Sequence, residues 1–434
     1  MAEPVSETEP NILFHKALTT DDYKRVYALL ADGADVDHGF RSSFFYKCPV
    51  HICCEKGNIE TLKVLIHWKA DLECPDQWGQ RPLHYSVMKR QHKILKLLLE
   101  KGVEVNAVNK HVRSPLHYAV ELGDRVMLEM LLENGARVNI QEQNGQTPVH
   151  VAASRNIYDW SLTRMLEQGD VIVDLWDRNK KTALQHAVLT GSVNGVKALL
   201  MAKADPDVFD TDYMTPLLNA IIGFNRSAVE EIYLEKTECL IKFGADVNKA
   251  NPTTGRTPLH VLVGTRQNCV RLGQLLITFG ADINQKDVNG CTPLILALLA
   301  GNKQAVRLLL RHNCDTSPVG TVQVLNNVTH VNALDICITH QLLDMLELLF
   351  EAGAKLDCTK YFEKLFGDLT YLTDLPPLLD TLKFHLTNVS PLKTLCRTSI
   401  RSSCGVQPED WIGKLGLPKY LMRYVLLENE LLEE

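Results

Sequence analysis

Apolar residues along the chain recur at helical spacing in short, paired runs separated by polar, glycine-bearing joints. Leu83 to Met88 begins a short apolar stripe, and His92 to Glu100 carries Leu95, Leu98 and Leu99 on one face of a second helix. The stripe is preceded by Arg81-Pro82-Leu83-His84, and the same four-residue signature returns along the chain. It appears as Cys48-Pro49-Val50-His51, Ser114-Pro115-Leu116-His117, Thr147-Pro148-Val149-His150 and Thr257-Pro258-Leu259-His260. Looser forms are Thr182-Ala183-Leu184-Gln185, Thr215-Pro216-Leu217-Leu218, Thr292-Pro293-Leu294-Ile295 and Asn332-Ala333-Leu334-Asp335. Measured at the second residue, the spacings are 33, 33, 33, 35, 33, 42, 35 and 40 residues. A second marker keeps step with the first: Gly33-Ala34-Asp35, Gly102-Val103-Glu104, Gly135-Ala136-Arg137, Gly244-Ala245-Asp246, Gly280-Ala281-Asp282 and Gly353-Ala354-Lys355. Two markers with one period define an internal repeat.

Each position has a physical reason. Thr or Ser ahead of Pro is a helix N-cap followed by a residue whose missing N–H costs nothing at the first helical position. The Gly after the second helix suits the left-handed residue that closes it. Trp78-Gly79-Gln80, Asn144-Gly145-Gln146 and Asn289-Gly290-Cys291 read as tight turns at loop tips. The unit is helix, turn, helix, hairpin loop, and it resembles the ankyrin repeat. Residues 13–37 lack the Pro-Leu-His mark and read as an atypical capping repeat. The expectation is an all-α solenoid of about ten helix pairs over residues 11–358, with one continuous curved core, after a disordered stretch 1–10. Two spacings exceed a plain repeat: residues 223–236 are expected to lengthen a helix or its loop, and residues 317–331 to form a polar, β-branched loop.

The repeat ends near Thr359, and residues 359–389 read as capping and linking helices interrupted by Pro376-Pro377. Beyond them Leu392, Leu395, Cys396 and Ile400 share one helical face after Ser390-Pro391. Ile412, Leu415, Gly416, Leu417, Pro418, Leu421 and Tyr424 follow. Over residues 390–430 this resembles a SOCS box, a small three-helix module. The resemblance implies that Leu392, Leu395, Cys396 and Ile400 bind Elongin C, with Elongin B attached. It implies that Ile412, Leu415, Leu417, Pro418, Leu421 and Tyr424 select cullin-5 with its RING-box protein, although Gly416 stands where the family has a proline. Ankyrin repeats followed by this module resemble the ankyrin repeat and SOCS box family. The implied function is substrate recognition for a ubiquitin ligase, the repeats holding an unidentified protein target. A plain ankyrin scaffold, with the Leu392/Cys396 face buried internally, is the alternative. Trp78, Trp176 and Tyr213, expected at loop tips, are the candidate target-binding residues, because aromatic anchors dominate many interfaces.

Composition narrows the alternatives. The 434 residues carry 46 Lys+Arg against 52 Asp+Glu, a net charge of −6, so the basic stripe of a nucleic-acid binder is missing. No run of eighteen apolar residues suggests a membrane span, and the acidic, polar start does not read as a secretory signal. Twelve cysteines, with Cys53 and Cys54 adjacent and others inside apolar helical patterns, then read as reduced thiols in the cytoplasm or nucleus. The histidines at positions 51, 84, 117, 150 and 260 lie about a repeat apart, roughly 10 Å in such a stack, and cannot converge on one ion bound at about 2 Å. A role in linking neighbouring loops is expected of them, and no metal or cofactor is. No phosphate-binding loop, H-E-x-x-H or G-x-S-x-G motif occurs, and no catalytic residue is expected.

Overall fold

In the computed structural model the described residues are 9–354, apart from positions 43–44, 156–158, 227–229, 266–268, 325–326 and 341. They hold twenty helices in ten pairs and two short β-hairpins. The first six pairs are α1 (Glu9–Thr19) with α2 (Tyr23–Ala31), α3 (Pro49–Lys56) with α4 (Ile59–His67), and α5 (Pro82–Met88) with α6 (His92–Glu100). Then come α7 (Pro115–Leu122) with α8 (Arg125–Glu133), α9 (Pro148–Ala153) with α10 (Asp159–Leu166), and α11 (Ala183–Leu189) with α12 (Val193–Met201). The last four are α13 (Pro216–Arg226) with α14 (Glu230–Lys242), α15 (Pro258–Val263) with α16 (Val270–Thr278), α17 (Pro293–Ala300) with α18 (Lys303–Arg311), and α19 (Ala333–Thr339) with α20 (Leu343–Glu351).

The chain divides into two compact units, residues 1–205 and 206–434. Within the first, the leading helices stack in sequence, α1 on α3, α3 on α5, α5 on α7, α7 on α9 and α9 on α11, while α6 packs on α8 and α10 on α12. The second repeats the arrangement from α13 through α15 and α17 to α19, with α16, α18 and α20 behind. Each leading helix is too short to bury its face alone, and those inside a unit, such as α3, α5, α7 and α9, are covered by a neighbour on each side. Leu116, Ala119 and Val120 of α7 and Leu128 and Leu131 of α8 are at most 1% exposed.

The helix starts follow from their caps. Thr147, Thr182 and Thr257 accept hydrogen bonds from the N–H three residues on, and Pro occupies the first turn of α3, α5, α7, α9, α15 and α17. The first long spacing is taken up by helices: α13 has 11 residues and α14 has 13, against 6 to 9 elsewhere after α1. The second differs from expectation. Residues 317–331 form an antiparallel hairpin of β3 (Gly320–Val324) and β4 (Asn327–Val331) rather than a loop. The β-branched residues Thr321, Val322, Val324, Val328, Thr329 and Val331 favour a pleated backbone, and the two runs lie close enough to pair. A shorter hairpin, β1 (Phe40–Ser42) with β2 (Phe45–Lys47), precedes α3.

Candidate functional site

The loop tips are built by one recurring device. An Asp or Asn opens most of the tips and folds its side chain back on the backbone, Glu142 standing in that place at the 142–146 tip. Asp76 Oδ1 accepts the N–H groups of Trp78 at 2.8 Å and Gln80 at 2.7 Å. Asn109, Asp177, Asp210 and Asp287 make the same pair of bonds to their own tips. The fourth residue is left-handed in six tips, Gly79 (φ 74°), Val112 (59°), Gly145 (78°), Lys180 (53°), Tyr213 (55°) and Gly290 (74°), and the fifth, Gly255 (67°), in the longer tip opened by Asn251. Successive tips are tied by backbone bonds, Lys110 N–H to Trp78 O at 2.8 Å, Gln143 N–H to His111 O at 2.8 Å and Arg178 N–H to Asn144 O at 2.9 Å.

On this frame Trp78, Trp176 and Tyr213 are 39%, 53% and 47% exposed. Trp78 and Trp176 do not form a cluster, because the tips at 109–113 and 142–146 stand between theirs. Val112, Val288 and Val319, also exposed and at or beside tips, belong with them. Aromatic size alone overlooked these; alignment of each tip on its leading Asp or Asn would have found Val112 and Val288. The tail residues Leu392, Leu395, Cys396, Ile400, Ile412, Leu415, Leu417, Pro418, Leu421 and Tyr424 lie outside the described residues.

The repeat histidines form a ladder behind the tips. The Nε2–H groups of His51, His84, His117, His150 and His260 donate to the carbonyls of Gln80, Arg113, Gln146, Lys181 and Cys291 at 2.9 to 3.2 Å. That leaves Nδ1 as an acceptor for the cap. It takes the cap N–H in each of these repeats, and the hydroxyl of Ser114, Thr147 or Thr257 as well, at 2.8 to 2.9 Å. Burial pushes His84, His117 and His150 down to about 4 from 6.5, so they are neutral at physiological pH.

One rung is different. At the first ladder position the capping hydroxyl is replaced by the Cys48 thiol, and Cys74 enters from the following loop. Cys48 Sγ, His51 and Cys74 Sγ bring one ligand atom each within 4.8 Å of one another, and all three residues are buried. Cys74 Sγ is 3.8 Å from His51 Nδ1. Histidine spacing alone does not show this cluster, because both sulfurs come from outside the histidine series.

Comparison with known proteins places the molecule. The ankyrin-repeat family model matches in overlapping blocks, 13–109, 50–142, 116–210, 227–317 and 265–360. The SOCS-box model matches residues 388–426. Among curated proteins, the human ARF GTPase-activating protein GIT1 is 37% identical over 84 residues, 19% of this chain and 11% of that protein. The human SH3 and multiple ankyrin repeat domains protein 2 is 26% identical over 176 residues, 34% of this chain and 9% of its own length. The Caenorhabditis briggsae ankyrin repeat and KH domain-containing protein CBG24701 is 27% identical over 232 residues, 48% of this chain and 8% of its own. The chain thus spans about a tenth or less of the length of these relatives.

Proposed function

The chain belongs to the ankyrin repeat and SOCS box family, a substrate-adaptor architecture of cullin–RING ubiquitin ligases, and from that premise we propose that it is the substrate-recognition subunit of an Elongin B/C–cullin-5 ligase with its RING-box protein. The observation that carries the reading is the pairing, in one chain, of repeats over 13–360 with a SOCS box at 388–426. In the tail, Leu392, Leu395, Cys396 and Ile400 would meet Elongin C. Ile412, Leu415, Leu417, Pro418, Leu421 and Tyr424 would face cullin-5. About 40 residues cannot bury an adequate core by themselves, so an apolar face of this kind needs a partner. The loop tips bearing Trp78, Trp176 and Tyr213 would hold the target. The chain itself is a non-catalytic adaptor: it raises the local concentration of target lysines beside the ubiquitin thioester. None of the nine described cysteines is in a disulfide and all are buried, which accords with work in a reducing compartment, the cytoplasm or nucleus.

The test is co-purification of the full chain with Elongin B and C beside a Leu392→Ala/Cys396→Ala/Ile400→Ala variant, both checked by circular dichroism. The expected result is stable co-elution of the wild type, and an affinity loss on the order of 100-fold in a variant that is still folded. A well-folded wild type that ignores Elongin would sink the proposal and leave a scaffold. Adding cullin-5 with its RING-box protein to the wild-type complex then tests the second contact, where Gly416→Pro is expected to tighten binding.

A further inference from the structure

We infer that Cys48, His51 and Cys74 form a binding site for a thiophilic divalent cation, of which zinc is the natural occupant, clamping the first Pro-x-His repeat to the loop that follows it. Two thiolates and an imidazole are a zinc ligand set, with water completing the coordination. The spacing fits. Around a tetrahedral zinc with Zn–S of about 2.3 Å and Zn–N of about 2.0 Å, ligand atoms stand roughly 3.5–3.8 Å apart. Cys74 Sγ and His51 Nδ1 are already 3.8 Å apart, and all three ligand atoms lie within 4.8 Å.

The ring is held as a ligand must be. Its Nε2–H donates to Gln80 O at 2.9 Å, which directs the Nδ1 lone pair toward the sulfurs. The only other group on Nδ1 is the Cys48 N–H, at 3.2 Å. The thiols are sheltered as well. Cys48 and Cys74 are both buried, so an ion held between them would be shielded from competing water. Zinc would bind both sulfurs as thiolates, the two thiol protons leaving to water as it does so.

Comparison within the chain sharpens the point. The residue matching Cys48 is Arg81, Ser114, Thr147 or Thr257 in the other histidine repeats, the last three giving their histidine a hydroxyl, and the residue matching Cys74 is Ala107, Ile140, Leu175 or Gln285. Neither the cap nor the loop requires sulfur, yet this one rung carries it at both positions.

The site is tested on the full chain, purified reduced and without chelator, beside a Cys48→Thr/Cys74→Ala variant. Those substitutions install residues that the same positions hold elsewhere, so the fold is expected to survive, with circular dichroism as the check. By metal analysis the wild type should carry about one zinc per chain and the variant none. Cobalt(II) in place of zinc should give a thiolate-to-metal absorption band in the wild type alone, and zinc should raise only the wild type's melting temperature. Reduced wild type that takes up neither ion would overturn the site, as would metal content that is the same in the folded variant. Because Elongin binding is read separately, neither result bears on the adaptor proposal.

Discussion

At the scale of single residues, the repeat histidines couple stability to pH. His84, His117 and His150 are held neutral because burial removes the water that would solvate their charge, taking each to about 4 in the folded chain from 6.5. The unfolded chain therefore binds these protons between pH 6.5 and 4 while the folded chain does not, so stability is complete above that window and lost as pH falls through it. Each histidine is worth about 3 kcal/mol across the window. Melting followed by circular dichroism should show the midpoint falling from pH 6.5 to 4. His117→Gln should make the fall shallower while keeping the fold. Gln185 shows why: in the equivalent position its Oε1 accepts the Thr182 N–H at 3.0 Å, as a histidine Nδ1 would. An unchanged pH dependence in that variant would mean His117 is not held neutral by burial.

At the scale of elements, the loop tip sets a backbone demand that side chains meet unequally. Its fourth residue is left-handed, which suits Gly79, Gly145 and Gly290 and strains Val112, whose branched Cβ is held at φ 59°. Val112→Gly should therefore stabilise the chain by roughly 1 kcal/mol, seen as a higher melting temperature. The reverse change at Gly145 should cost roughly 2 kcal/mol, since its φ is 78° and an added Cβ would meet Arg178 N at 2.9 Å. If both variants melted with the wild type, the tips would be too loose for the geometry to matter.

The same contrast explains what could be read from the sequence. Caps, prolines and closing glycines act within a few residues of themselves, so the helix pairs were legible from Thr147-Pro148 or Gly135-Ala136 alone. The 320–331 hairpin was not, because its strands satisfy each other and follow no repeat period. The Cys48–His51–Cys74 cluster was hidden for a related reason. Its sulfurs, Cys48 and Cys74, are 26 positions apart across a repeat boundary, where a buried cysteine looks like any small apolar residue. The Leu392–Cys396–Ile400 pattern lies within nine residues of sequence and is an expectation from helical spacing alone.

At the scale of the whole molecule, the two parts of the chain stand on different physics. Each repeat is stabilised by its neighbours, so an array's stability accumulates along its length and needs nothing from a distant segment. A tail of about 40 residues has no such reserve and depends on what covers it. The adaptor reading therefore makes the parts separable. A fragment of residues 1–386 should keep the helical signal and cooperative unfolding of the array, capture the same target as the full chain, and fail to hold Elongin B and C. Added in excess to a reconstituted ligase, it should occupy the target without delivering it and suppress ubiquitin transfer in proportion to its concentration. The scaffold reading predicts the opposite, because the Leu392/Cys396 face would then be buried against the last repeats. Removing it would strip cover from the last repeat, where Leu346 and Leu349 of α20 are fully buried in the full chain, and the fragment would lose helix and target together. A fragment that is folded, binds target and leaves transfer undiminished would contradict delivery by this chain altogether.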